Sequence, residues 1–274
     1  MYFDFKSFFK FNFRAFFATK GKPHRLTFKR FLFLAFWLPL YSLMVLIHQF
    51  FFLMDEIFYP AYRKQEISKP VMIIGNPRSG TTFLFRLLSQ DREHFTAFTL
   101  WELALAPSIT QRKILWALGR LDGWLGNPAE KWDKWINKRF KRSIVNPIHK
   151  LRLTAAEEDE HAMFYSFATE LLFNFYPFPE VFSFYYFDRD VPAEKKAKAI
   201  QFYRRLLQRH LFAHGGEKTL LSKNPSHSSK IAALSAIFPD ARFIKLVRNP
   251  LDTVPSFLHL MAVGLGVFCD PPDP

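Results

Sequence analysis

The stretch from Val71 to Ser89, VMIIGNPRSGTTFLFRLLS, constrains the fold more than any other part of the chain. A short apolar run, Val71 to Ile74, is cut off at Gly75-Asn76-Pro77 and turns through Arg78-Ser79-Gly80. It then resumes an apolar pattern at helical spacing through Phe83, Leu84, Leu87 and Leu88. The pattern predicts a strand, a tight loop and a helix. Gly75 and Gly80 stand at the G-x-x-x-x-G spacing of a phosphate-binding loop, where loop amides and a helix N-terminus converge on an anion. The same spacing also occurs in ordinary Gly-rich bends, and it is the flanking strand and helix that favour the anion site. A loop for a nucleoside triphosphate needs Lys after the second Gly to reach the outer phosphates, and a hydroxyl to hold Mg²⁺. Here Thr81 takes the place of that Lys, Thr82 follows, and Arg78 is the only cation in the loop. Two hydroxyls, free amides and an earlier Arg suit a single phosphate carrying one further transferable group.

Two later strand ends carry polar groups of the same kind. Lys218 to Ser222 predicts a strand ending in Lys223-Asn224-Pro225-Ser226-His227. Ser226 as a helix cap and an exposed His227 would account for the turn, but not for a Lys delivered at the carboxyl end of a strand, where α/β sheets bind ligands. A helix from Ser228 to Phe238 leads to a strand from Arg242 to Val247 and then to R-N-P-L-D-T-V-P-S, Arg248 to Ser256. Between loop and strands, Thr154 ahead of Glu157-Glu158-Asp159-Glu160 predicts a capped helix running to Phe175, with acidic residues complementing its dipole. Pro192 opens a further helix, Ala193 to Phe212, with Phe202, Leu206 and Leu207 on one face. Glu158-x-x-His161 matches half of a di-iron motif, but no second copy follows, so no metal is expected.

The P-R-S-G-T-T loop strongly resembles the 5′-phosphosulfate loop of sulfotransferases that use 3′-phosphoadenosine 5′-phosphosulfate (PAPS), and the Arg248 to Ser256 segment is similar to their 3′-phosphate site. The resemblance covers about Val71 to His259. It implies an α/β fold, a three-layer sandwich around a central parallel sheet of the P-loop-NTPase-like sulfotransferase kind, preceded by an N-terminal hydrophobic helical segment. It implies that Arg78, Ser79, Gly80, Thr81 and Thr82 hold the 5′ end, that Arg248 and Ser256 hold the 3′-phosphate, and that Arg78 and Lys223 offset charge on the bridging oxygen during sulfuryl transfer to a hydroxyl or amine. Glu102, placed after the loop as the family's base often is, would take the acceptor's proton, or else Glu158 or His227 would. For Glu102 the plain alternative is a solvated carboxylate at a helix start. A kinase-like nucleoside-triphosphate enzyme is disfavoured by Thr81 and by the lack of a strand-end Asp for Mg²⁺. A membrane-attached relic of the fold without turnover is the alternative from another class.

Composition bounds the surroundings. The 274 residues carry a formal net charge of +14, which suits an anionic ligand or membrane surface; scattered cations without a recognition motif argue against nucleic acid. Cys269, the single cysteine, excludes an intrachain disulfide framework. Of the 35 Phe, many lie among Lys and Arg in the first thirty positions, and Phe31 to Met54 has no charged residue. That run is long enough to span a bilayer, while its basic aromatic flank suits a segment lying in the interface. Residues 1–69 are therefore expected to be a membrane-associating segment. Residues 70–274 are expected to be the sulfotransferase-like domain, on the cytoplasmic side and shortened at its C-terminus, since the family usually continues past the helix after Arg248. The acceptor would be a small molecule, lipid or glycan near the membrane. Gln111 to Lys150, basic and rich in Trp, predicts amphipathic helices that could form a lid or acceptor-binding insertion.

Overall fold

The computed structural model describes residues 1–18, 25–124 and 153–268. Most of the Trp-rich region, including Trp132 and Trp135, and Cys269 lie outside them. Two helices come first, α1 (Phe5–Phe17) and α2 (Phe28–Phe58), and then β1 (Val71–Gly75) and α3 (Thr81–Leu88). These are followed by β2 (Phe95–Thr96), α4 (Leu100–Ala104), α5 (Ile109–Trp124), α6 (Glu160–Met163), α7 (Phe187–Asp190) and α8 (Ala193–Ala213). The chain then runs through β3 (Thr219–Lys223), α9 (Ile231–Ile237), β4 (Arg242–Leu246) and α10 (Pro250–Phe268).

The four strands form a parallel sheet in the order β2-β3-β1-β4, with Val71 opposite both Leu221 and Arg242. Each of the five β1 residues is buried, as expected of a central parallel strand covered on both faces. Side-chain alternation sorts the two layers. Met72 and Leu220 join Phe202, Leu206 and Leu207 of α8 and Leu234 of α9 in one cluster, while Val71, Ile73 and Leu221 pack with Phe85 of α3 on the other face. This is the expected three-layer α/β sandwich. Strand β4 forms one edge, and Ile244 and Lys245 on it are exposed.

The helix expected from Thr154 to Phe175 is not there. Only Glu160–Met163 is α-helical, and 3₁₀ turns at Phe164–Ser166 and Glu170–Asn174 follow, with Phe167 between them at φ 56°. The acidic residues do not decorate a solvated first turn either. Glu157, Asp159, Glu160 and Glu170 are all buried, and they meet Arg86, Tyr203 and Lys230 of other segments. A regular helix would point successive carboxylates around its circumference, whereas the broken path turns several of them toward the end of β3.

The N-terminal helices share the main core. Leu34, Tyr41, Val45 and Phe52 of α2, and Phe11 and Ala15 of α1, belong to the same cluster as Met72 and Leu220. Buried polar groups fasten α2 at both ends: Arg30 donates to the Phe175 carbonyl at 3.1 Å, and Asp55 accepts from the Ile109 and Thr110 amides at 3.0 and 2.9 Å and from Arg209 at 2.9 Å. The expected division at Lys69-Pro70 thus separates the sheet from what precedes it in sequence, while packing continues across it. By length and composition α2 could cross a membrane. Its outer side and that of α1 expose large apolar residues, among them Phe5, Phe9, Phe13 and Phe17, then Phe36, Leu43, Leu46 and Phe50.

Candidate active site

The loop between β1 and α3 is held in a shape that needs both of its glycines. Gly75 has φ +147°, and a Cβ there would lie 2.6 Å from the Leu246 carbonyl oxygen, so strand β4 passes too close for any side chain. Gly80 caps α3 from the left-handed region at φ +94°; its carbonyl accepts from the Phe83 amide at 3.0 Å, and with no side chain it offers no cap to the Thr81 and Thr82 amides. Arg78 also has a positive φ, 69°, an unusual backbone state for a residue with a Cβ and one that concentrates at functional loops. Ser79 is buried and braces the turn, donating its hydroxyl to the Asn76 carbonyl at 2.7 Å. Ser228, which the sequence did not single out, accepts from the Gly75 amide at 3.2 Å and ties the loop to the segment after β3.

The three regions expected to act together do meet. Lys223, 2 % exposed at the end of β3, donates to the Thr82 hydroxyl at 2.9 Å and pairs with Glu158 at very short range. Arg78 donates through Nε to the Ser256 hydroxyl at 2.8 Å, which brings the loop beside the segment expected to hold the other phosphate. Thr81 is buried at the start of α3. Arg248 is exposed and pairs with Asp252 one turn on, Nε to Oδ2 3.5 Å. The result is an exposed cationic edge beside the loop, with a buried cation behind it.

Beneath Lys223 lies a buried polar cluster. Glu160 accepts from Lys230 at 2.7 Å, Asn224 at 2.8 Å, Ser226 at 3.0 Å and Thr169 at 2.7 Å. Glu158 and Glu160 thereby grip successive residues, Lys223 and Asn224, and fix the strand end from one side. Burial would raise the Glu160 carboxyl, but the Lys230 charge outweighs it and draws the group down to about 2. Glu170, also beside Lys230 at 3.6 Å, is pushed up to about 8 by burial and by the neighbouring Glu160 charge. His227 lies in this cluster instead of at the surface. It is 1 % exposed, edge-on to Tyr203 with ring centroids 5.2 Å apart, and lowered to about 3 by burial and then by Lys230. A closed, neutral imidazole of this kind has no route to an acceptor, so the expected position of His227 beside the transferring group is corrected to a structural one. Asn224, not Ser226, caps the turn, accepting from the Ser226 amide at 3.0 Å.

Glu102 is also placed elsewhere. Its Oε2 accepts from the Thr99 amide and hydroxyl, both at 2.8 Å, in a capping box, and its Oε1 lies 2.6 Å from His214 Nε2. Burial would raise its carboxyl, but the Arg112 charge and the His214 bond outweigh burial and hold it well below the usual carboxylate range. Glu102 is thus a buried helix cap with both oxygens engaged, which corrects the expectation of a solvated carboxylate at a helix start and gives it a structural set of partners. Glu102, His210 and His214 do bring ligand-type atoms within 4.8 Å of one another. The chemistry does not suit a cation, because Arg112 already lies 3.8 Å from Glu102, and His210 has both nitrogens engaged, with Thr96 at 2.9 Å and Arg112 at 3.1 Å.

Comparison with known proteins places this geometry. The omega-hydroxy-beta-dihydromenaquinone-9 sulfotransferases Stf3 of Mycobacterium tuberculosis and Mycobacterium bovis are each 28 % identical to the chain over 208 residues, 70 % of its length. The chain spans 45 % of the length of these relatives. Among solved structures, sulfotransferase STF1 from Mycobacterium tuberculosis superposes with a TM-score of 0.64 at 20 % identity, over 96 % of this chain and 72 % of its own. Sulfotransferase STF9 from Mycobacterium avium gives 0.59 at 22 % identity, over 79 % and 52 %. These two support the fold. The sequence model of the Sulfotransferase family matches residues 70–270, from the start of β1 past the end of α10, and the chain is a member of that family.

Proposed function

We propose that this site binds PAPS and directs its sulfuryl group to a hydroxyl on a lipid-like acceptor. The observation that carries the reading is the convergence of Lys223 on Thr82, with Arg78 on Ser256, at the carboxyl end of the sheet. The residues present suit the cosubstrate: the uncapped first turn of α3 and the hydroxyls of Thr81 and Thr82 fit a 5′-phosphate, and Arg248 and Ser256 fit the 3′-phosphate. PAPS supplies the transferable sulfuryl group and a bisphosphate leaving group. Arg78 and Lys223 stabilise the charge that grows on the bridging oxygen. Glu158, partly exposed and in contact with Lys223, is the carboxylate placed to accept the acceptor's proton. The names of the Stf3 relatives describe an acceptor with a hydroxyl on a menaquinone derivative, and this favours a lipid-like acceptor here.

The 3′-phosphate is the group that tests this reading, because it separates PAPS chemistry from ordinary nucleotide chemistry. Calorimetry should show adenosine 3′,5′-bisphosphate binding at least about tenfold more tightly than the 5′-monophosphate, as one lost charge-assisted contact implies. Arg248→Ala should erase most of that preference. A ratio near one in the folded protein would remove the reading.

An acceptor in a membrane suits the outer face of α1 and α2, which we infer lies in the interface of an anionic leaflet on the cytoplasmic side, with α2 in the plane. The in-plane orientation is favoured by the packing of α2 against the sheet domain from Arg30 to Asp55. Lys6, exposed beside these Phe residues, supplies charge on this face. Deleting the helices would open the core, so the test uses surface changes. Phe9→Ser, Phe13→Ser and Phe17→Ser together should weaken binding to phosphatidylglycerol vesicles by at least about tenfold, from the apolar area removed. Undiminished sedimentation with vesicles would place the membrane contact elsewhere.

A further inference from the structure

A cavity of about 680 Å³ lies away from the loop and the end of β3. Its walls are aromatic, from Phe3 at the N-terminus, Phe52 of α2 and Phe202 of α8, and arginines 63, 205 and 209 line it as well. None of the residues assigned to the 5′- or 3′-phosphate sites lines it. Phe5, the first of the exposed Phe residues of α1, forms part of its wall, so the cavity adjoins the apolar face of α1 and α2.

The charges around it do not cancel. Arg63 and Arg209 share Glu56, Arg209 also pairs with Asp55 at 2.9 Å, and Lys198 on the rim pairs with Glu194 at 2.5 Å. Arg205 has no carboxylate partner among the described residues, and its guanidinium lies 6.0 Å from the Tyr62 ring. A half-buried arginine left over in an aromatic cavity is suited to a phosphate or carboxylate joined to an apolar chain: the planar fork binds the anion and the rings cover the chain. The size is that of an ordinary small-molecule site.

We propose that this cavity binds one molecule of an anionic, phosphate-headed amphiphile beside the membrane, independently of the catalytic reaction. The probes are three: dihexanoylphosphatidylglycerol below its micellar concentration, dihexanoylphosphatidylcholine at the same concentration, and inorganic phosphate. Calorimetry on the full chain should show saturable binding of the first at one site, with at least tenfold weaker binding of the other two. Arg205→Glu should lower the affinity for phosphatidylglycerol at least tenfold, while Arg204→Glu, the same charge change at an exposed residue of α8 outside the cavity, should leave it unchanged. The thermal midpoint by circular dichroism should be the same in both variants and serves as the check that each has folded. Equal binding of phosphatidylcholine would show that the head charge is not read, and equal binding of inorganic phosphate would show that the rings are not used. Either result, or an unaltered affinity in Arg205→Glu, overturns the proposal without touching the reading of the catalytic site.

Discussion

Lys223→Met should lower the rate of sulfuryl transfer by about a hundred- to a thousandfold, the loss typical of a preorganised charge-stabilising donor. Methionine keeps the length and apolar stem of the side chain, so the end of β3 stays filled while the ammonium is removed. Two contacts go with it, the bond to Thr82 at 2.9 Å and the pair with Glu158. Because the proposed role grows as charge develops on the leaving oxygen, the loss belongs in kcat, and affinity for adenosine 3′,5′-bisphosphate should change by no more than about threefold. Steady-state kinetics with a hydroxylated menaquinone analogue, together with calorimetry of the bisphosphate, would measure both. A variant with intact kcat and weakened nucleotide binding would make Lys223 a ground-state ligand instead. Glu158→Gln complements the experiment: a proton acceptor lost there should abolish the acid limb of the pH–rate profile, whereas a mere partner of Lys223 would leave that limb in place.

Lys230→Met should destabilise the fold by about 3–5 kcal/mol, because removing one member of a buried ion pair leaves the other charge uncompensated. Lys230 serves two carboxylates, Glu160 at 2.7 Å and Glu170 at 3.6 Å. The fall in midpoint should be on the order of ten degrees, measurable by circular dichroism. Adding Glu160→Gln should recover part of it, and no recovery would mean that the loss came from packing. The same cluster sets a dependence on pH. Glu160 is lower in the folded chain than its unfolded value of about 4.3, so its contribution is full above that value and lost as pH falls toward 2. Glu170 is higher when folded, so the folded chain holds a proton that the unfolded chain releases, and stability declines as pH rises from about 4.3 toward 8. Glu170→Gln should flatten that decline, and a slope unchanged in urea titrations between pH 6 and 8 would assign it to another group.

The parts of this protein readable from sequence are those set by local pattern. A strand, two obligatory glycines and an apolar helix in succession specify the loop, and the polar residues at two strand ends follow from where parallel sheets expose their termini. Lys223 was legible for that reason, while Arg78, Thr82 and Ser256 were singled out through the resemblance of their segments to the sulfotransferase motifs. Glu102 was not, because its partners Arg112 and His214 come from α5 and the end of α8, and neither position carries a mark of the contact. His227 looked like a surface group since a turn after proline is usually exposed; a buried Lys230 three residues on and a Tyr203 from α8 enclose it. The apolar run to Phe175 read as a helix because rings suit either a helix or a core, and only tertiary packing chose the broken path. The role of α1 and α2 was half visible: their apolar character is plain, but which side turns inward depends on a stripe at spacings of seven and four that fits the sheet domain.

Among the described residues β4 has no strand on its outer side, and that margin has a consequence for how molecules of this protein treat one another. Val247 just beyond it is 81 % exposed, and Phe83, Leu87 and Leu251 nearby in sequence to the loop and strand end are exposed as well. An unpaired strand beside apolar side chains is a template for another polypeptide to add to. Arg242 and Lys245 on β4 face solvent, so two such margins approaching each other would bring like charges together. This repulsion acts between exposed groups and fades as the Debye length shrinks from about 10 Å at 0.1 M salt to about 3 Å at 1 M. Self-association should therefore grow with ionic strength, the reverse of what a charge-driven complex would do, and light scattering that fell on adding salt would show that the margin is not the contact.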